Sequence, residues 1–149
     1  MRIIVDADAC PRPIKEILFR AVARVKVPLL LVSNLKLRIP TTDGVSVVDV
    51  PDGLDEADDK IVELVEPGDL VVTADIPLAD RVVSKGAVAL NPRGDFYTAH
   101  TIKDKLAVRN LMDQLRGQGA NLGGPSVFNQ KDRQAFSNQL DKFLAKNLK

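Results

Sequence analysis

The sequence predicts an α/β protein, a three-layer α/β/α sandwich around a mainly parallel sheet of about five strands, with two further helices at the C-terminal end. Three observations carry this. Short continuous apolar runs, such as Ile3-Ile4-Val5 and Leu70-Val71-Val72, alternate with amphipathic stretches. That is the pattern of parallel strands buried on both faces and joined by helices. The chain has 149 residues, 45% of them apolar and 28% charged, enough for one domain with its own core. No repeat and no linker-like segment divides it, so residues 1–149 read as one domain, with 95–149 a helical extension packed on the rest.

Taken in order, residues 2–6 read as the first strand. Residues 11–25 follow as a helix, with Ile14, Ile17, Leu18, Ala21, Val22 and Val25 on one face. Pro11 and Pro13 suit its first turn, where a missing N–H costs nothing. Residues 27–32 are the second strand, "SNLKLRIPTTDG" a loop, and 45–50 the third strand. "PDGLDEADDKIVELVEPGD" supplies a helix that turns Leu54, Ala57, Ile61, Leu64 and Val65 inward and stops at Pro67-Gly68. "DLVVTAD" is the fourth strand, "PLADRVVSKG" a short helix closed by Gly86, and "AVAL" the fifth strand, ending at "NPRG". Residues 101–116 form a helix whose clearest apolar face is Val108, Leu111, Met112 and Leu115. "GQGANLGGPS" is a connector. Asn129 caps a last helix striped by Phe136, Leu140, Phe143 and Leu144.

Composition narrows the function classes. No apolar run is long enough for a membrane span, and the first residues lack the pattern of a signal peptide. Cys10 is the only cysteine, which excludes an intramolecular disulfide and a cysteine-based zinc cluster. A cytoplasmic protein without membrane partners is expected. Charge is divided: residues 1–92 sum to −4 and residues 93–149 to +5. Solvated faces explain such a split, and so does an acidic pocket facing a basic rim.

The acids fall where ligands bind in parallel sheets, outside the carboxyl ends of the strands. The first strand ends in Asp6 and Asp8, the fourth in Thr73 and Asp75 with Asp80 five residues on, the fifth in Asn91. Asp58 lies on the helix before the fourth strand, beside its apolar face. Gathered carboxylates repel unless one protonates or a cation neutralises them. Hard oxygen donors, with only His100 as imidazole, suit Mg²⁺ or Mn²⁺. Such an ion can offset charge on a phosphoryl group, which points to phosphoester hydrolysis. Structural readings stand beside this one. Asp8 can cap the helix at Pro11, Asp80 can face solvent, and Asp55, Glu56 and Glu63 read as helix surface. Lys105, Arg109 and Arg116 fall within about 40° of one another on an ideal helix, as an RNA-phosphate surface or a solvated face. Arg93, Lys131 and Arg133 are further phosphate-binding candidates. Cys10, at a helix N-terminus that would lower its pKa, reads as packing.

Together, "VDADACP", "ADDKIVELVEPGDLVVTADIPLADRVVSKGAVALNPRG" and "LRGQGANLGGPSVFNQKDRQAF" closely resemble the bacterial YaiI/YqxD family of PIN-like proteins, over essentially the whole chain. The resemblance implies a compact α/β/α sandwich. Through PIN and NYN relatives it also implies a Mg²⁺- or Mn²⁺-dependent ribonuclease built on a cluster of acids, with RNA as partner and a homodimer as an expected assembly. Carried onto this chain, the strand-one acid matches Asp6, with Asp8 beside it. The helix acid matches Asp58, with Asp59 its competitor; the "T-x-D" acid matches Asp75, and "PLAD" supplies Asp80. Two other readings remain. One is a haloacid-dehalogenase-type phosphatase with Asp6 as nucleophile, Asp8 as acid/base and Ser33 on the phosphate, although Ala9-Cys10-Pro11 departs from that family's pattern. The other is a PIN-like module that binds RNA or protein without cleaving.

Overall fold

The computed structural model describes residues 1–35, 44–53, 55–119 and 127–148. Leu54, most of the loop after the second strand and most of the glycine-rich connector lie outside the described residues. Among the described residues there are six strands and five α-helices, in the order β1 (Ile3–Asp6), α1 (Arg12–Val25), β2 (Leu29–Ser33), β3 (Val45–Asp49), α2 (Glu56–Leu64), β4 (Leu70–Val72), α3 (Ile76–Ser84), β5 (Val88–Leu90), β6 (Phe96–Tyr97), α4 (Ile102–Gly117) and α5 (Gln130–Asn147). A single 3₁₀ turn, Ala7–Ala9, links β1 to α1.

The sheet runs β3-β2-β1-β4-β5-β6. Its first five strands are parallel, in registers such as Ile3↔Leu29 and Ile3↔Leu70, and β6 closes the edge antiparallel to β5. β1 is the central strand, and all four of its residues are buried. Alternation along the strands sends Ile3, Val5, Leu29, Leu31, Leu70 and Val72 to one face, under α1 and α5. Ile4, Val32, Val71 and Ala89 face the other way, against α2, α3 and the start of α4. The result is the three-layer α/β/α architecture.

Local chemistry sets the helix ends. Pro13 occupies the first turn of α1, and Lys26 closes that helix in the left-handed region (φ 56°). Asp75 caps α3 by accepting from Leu78 N at 3.0 Å. Asn129 and Asp132 form a reciprocal capping box on α5. Within α5, Phe136, Leu140 and Leu144 are buried and Phe143 packs beside them.

Three features differ from the expectations. β6 was not anticipated, because two residues carry no periodicity. Its turn is nevertheless written in "NPRGD": the Asn91 side chain accepts from Arg93 N (2.9 Å) and Asp95 N (3.1 Å), and Gly94 takes φ 92°. Secondly, the apolar face of α4 does not turn inward. Val108 and Leu111 are more than half exposed and Met112 is 37% exposed, while Ile102 alone is buried in that helix. Thirdly, burial pushes the Cys10 thiol up to about 12, overriding the helix N-terminus. No helix among the described residues is long and apolar enough to cross a membrane.

Candidate metal centre

The chain leaves β1 toward β2 on one side and returns to β4 on the other, so the order reverses between β1 and β4 and opens a crevice at their carboxyl ends. Asp6 ends β1 inside it, only 7% exposed. Its Oδ2 accepts from Thr73 Oγ1 at 3.3 Å, and the same hydroxyl accepts from Asp75 N at 3.0 Å. Buried Thr73 thus ties the ends of β1 and β4 together. Its Oγ1 is the one hydrogen-bond donor to the Asp6 carboxylate among the described residues. Since no buried side-chain oxygen lacks a partner there, Asp6 Oδ1 reaches solvent.

Electrostatics identify which acids face one another. Burial raises the Asp6 pKa, the Thr73 hydrogen bond opposes the rise, and Asp75 and Asp8 add to it. Asp58, half-buried in the first turn of α2, is pushed up to about 6, first by burial and then by Asp75, Asp6 and Asp55, against the pull of Arg81. Asp6, Asp58 and Asp75 therefore share one field, each from a different element. Asp75 spends Oδ1 on the α3 cap, and among the described residues its Oδ2 receives no hydrogen bond. Neighbouring Asp59 points elsewhere, to Arg81 Nη1 at 2.9 Å.

The remaining candidates are engaged differently. Asp8 does not cap α1, whose N-cap is Pro11. Instead it accepts from Ser33 Oγ (2.6 Å) and Asn34 N (2.9 Å), clamping the 3₁₀ turn to the end of β2. Asp80 pairs with Lys103 Nζ at 2.7 Å and is not among the charges acting on Asp6 or Asp58. Asn91 is committed to its turn and donates Nδ2 to the Tyr97 hydroxyl (3.3 Å). Among the described residues, no three His, Cys, Asp or Glu side chains lie close enough to hold one ion.

The candidate cations are engaged in different ways. Arg93 pairs with Asp132 at 2.9 Å, which sets the start of α5 beside the β5–β6 turn. Lys131 is exposed and Arg133 half-buried in the first turn of α5. Lys105 lies over the Tyr97 ring, 5.6 Å from its centroid. Arg109 and Arg116 both contact Asp113, at 3.2 and 3.1 Å. Tyr97 is the residue that composition gave no means of placing. Its position depends on β6, and its pKa is raised by burial and, more weakly, by Asp95 and Asp75.

A family model described as "Uncharacterized BCR, YaiI/YqxD family" matches residues 4–146. A UPF0178 protein of Hahella chejuensis is 56% identical over 149 residues, covering 100% of this chain and 99% of that protein. A UPF0178 protein of Shewanella baltica (strain OS223) is 56% identical over 145 residues, 97% of each chain. One from Maridesulfovibrio salexigens is 54% identical over 148 residues, 99% of this chain and 98% of its own. No solved structure gives a significant match.

Proposed function

The chain belongs to the YaiI/YqxD family, and from that premise we propose that it is a Mg²⁺- or Mn²⁺-dependent ribonuclease that hydrolyses phosphodiesters at the carboxyl ends of β1 and β4. The observation that carries this reading is the convergence of Asp6, Asp58 and Asp75, from three elements: Asp75 raises the proton affinity of both Asp6 and Asp58, and Asp6 adds to the rise at Asp58. The donor set fits a divalent cation. Asp6 Oδ1 and Asp75 Oδ2 are hard oxygens free of hydrogen bonds among the described residues, and Mg²⁺ takes one or two carboxylates while keeping several waters. When bound, the ion would offset charge on the phosphoryl oxygens and lower the pKa of a water.

The protein's own groups do the rest. Asp6 and Asp75 would hold the cation. Thr73, by bonding both strand ends, fixes their separation. Asp58, with its pKa raised to about 6, would accept the proton from the attacking water as the new P–O bond forms; the bond from phosphorus to the ribose oxygen breaks, and that oxygen takes a proton from solvent. Asp8 positions the turn. With both its oxygens occupied it is a poor proton shuttle, and this weighs against the phosphatase reading. RNA as the substrate comes from the resemblance to PIN-like proteins.

The test is incubation of purified protein with labelled single-stranded RNA, with Mg²⁺, with Mn²⁺ or with chelator, beside Asp6→Asn. Metal-dependent cleavage reduced at least about a hundredfold in a folded variant is expected. Equal cleavage by wild type and variant, or none with either metal, defeats the proposal. A binding module without turnover is the second reading, favoured by the absence, among the described residues, of three acids close enough to share an ion. RNA retention without cleavage would support it.

A further inference from the structure

We infer that the groove between Tyr97 and α4 is a subsite for one nucleotide of the substrate, its base against Val108 and Met112 and its phosphates at Lys105 and Arg109; this rests on the ribonuclease reading above. The groove, of about 530 Å³, is bounded by Ile76, Tyr97, Lys105, Val108, Arg109 and Met112. That volume lies in the range that accepts compact ligands. Ile76 directly follows Asp75, so the groove opens beside the acidic crevice. A second groove holds Ala74, Asn91 and Arg93 and shares Tyr97 with the first. Tyr97 feels the charge of Asp75, so a strand whose scissile phosphate sits at Asp6 and Asp75 passes near both grooves.

The composition of the first groove fits one neighbour of that phosphate. Val108 is 54% and Met112 37% exposed, although α4 buries only Ile102. Apolar side chains at those positions lie outside the buried core, and they give a base an apolar surface to pack against. The rim is cationic. Arg109 and Arg116 share the single carboxylate of Asp113, and Lys105 rests on the Tyr97 ring, leaving positive charge in excess even when Asp104, the carboxylate lining the groove, is counted. A polyanion with an unpaired base satisfies both halves of this surface.

The experiment measures steady-state cleavage of a labelled ten-nucleotide RNA by wild type, Met112→Glu and Arg109→Gln, in parallel with bis(4-nitrophenyl) phosphate, a diester with neither a nucleobase nor a second phosphate. Both positions are exposed, so the fold is expected to survive, and circular dichroism checks it. KM for the RNA should rise about tenfold in each variant with kcat nearly unchanged. Turnover of the small diester should not change. A photocrosslink from a 4-thiouridine beside the cleaved bond should map to α4. The inference is overturned if wild type cleaves both substrates and the variants keep the wild-type KM for RNA. It is also overturned if the variants change from dimer to monomer by light scattering, which would make this face a contact between copies. If wild type cleaves neither substrate, the ribonuclease reading itself fails.

Discussion

Replacing Asp58 by Asn should stabilise the metal-free protein at neutral pH, which runs against the usual result of removing a half-buried polar group. In the folded chain Asp58 has its pKa raised from 3.8 to about 6 by burial and by Asp75, Asp6 and Asp55. Between those two values the folded state binds a proton that the unfolded state releases. Stability is therefore full at or below about pH 4, falls as pH rises through the window, and levels off above about pH 7. The gap corresponds to about 3 kcal/mol at full conversion. Asp58 is open to solvent on one side, so screening reduces this to about 1 kcal/mol. Asn keeps the shape without the charge. Urea unfolding in chelator at pH 7.5 should show Asp58→Asn more stable by about 1 kcal/mol, or about 2–4 °C in Tm, and the advantage should vanish at pH 4. An equal advantage at both pH values, or a loss at pH 7.5, would refute the mutual repulsion on which the metal centre is argued. The same variant should lose cleavage, the familiar opposition between stability and activity at a functional site.

Other outcomes follow from separate parts of the molecule. Mg²⁺ or Mn²⁺ at a hundredfold excess over its dissociation constant should add about 2.7 kcal/mol of stability to wild type; a thermal melt of Asp6→Asn should show no such gain. Asp69 is 3% exposed and accepts from Arg2 N (3.0 Å), Arg2 Nη2 (3.1 Å) and Glu66 N (3.0 Å). Asp69→Ala should cost about 2–4 kcal/mol by urea unfolding while leaving metal binding intact, because it sits at the amino end of β4, the opposite end of the strands from Asp6 and Asp75. At Gly94, φ is 92° and an added Cβ would stand 2.7 Å from the Ala135 carbonyl carbon. Gly94→Ala should therefore cost at least about 1–3 kcal/mol and loosen α5, seen as faster amide exchange around Phe136.

Periodicity made the five parallel strands legible, because each is a short run such as Leu29-Leu30-Leu31 with helical spacing between. It also told which residues of α4 share a face. What covers a face is a tertiary fact, and Val108, Leu111 and Met112 show the difference: their spacing is that of a packed helix, yet they stand in water. The strand-end rule placed Asp6 and Asp75 at one edge from sequence alone. It could not distribute partners. Ser33 for Asp8 and Lys103 for Asp80 lie 25 and 23 residues away, and nothing local marks either pairing. Asp58 and Asp59 are adjacent, and only their different reaches, into the crevice and out to Arg81, separate them.

β1 is the first strand to be synthesised, yet it is flanked on both sides only when β4 arrives. It pairs early with β2, but its other edge stays open until Leu70–Val72 arrives, and the Arg2–Asp69 contact spans the same 67 residues. Closing so long a loop is the slow kind of step in folding. Asp6 and Asp75 are therefore brought together by the docking of β4 on β1, not by any local turn. A nascent or truncated chain ending before residue 75 holds the first aspartate pair without its counterpart. Competence to cleave would arise in one event, with closure of the sheet.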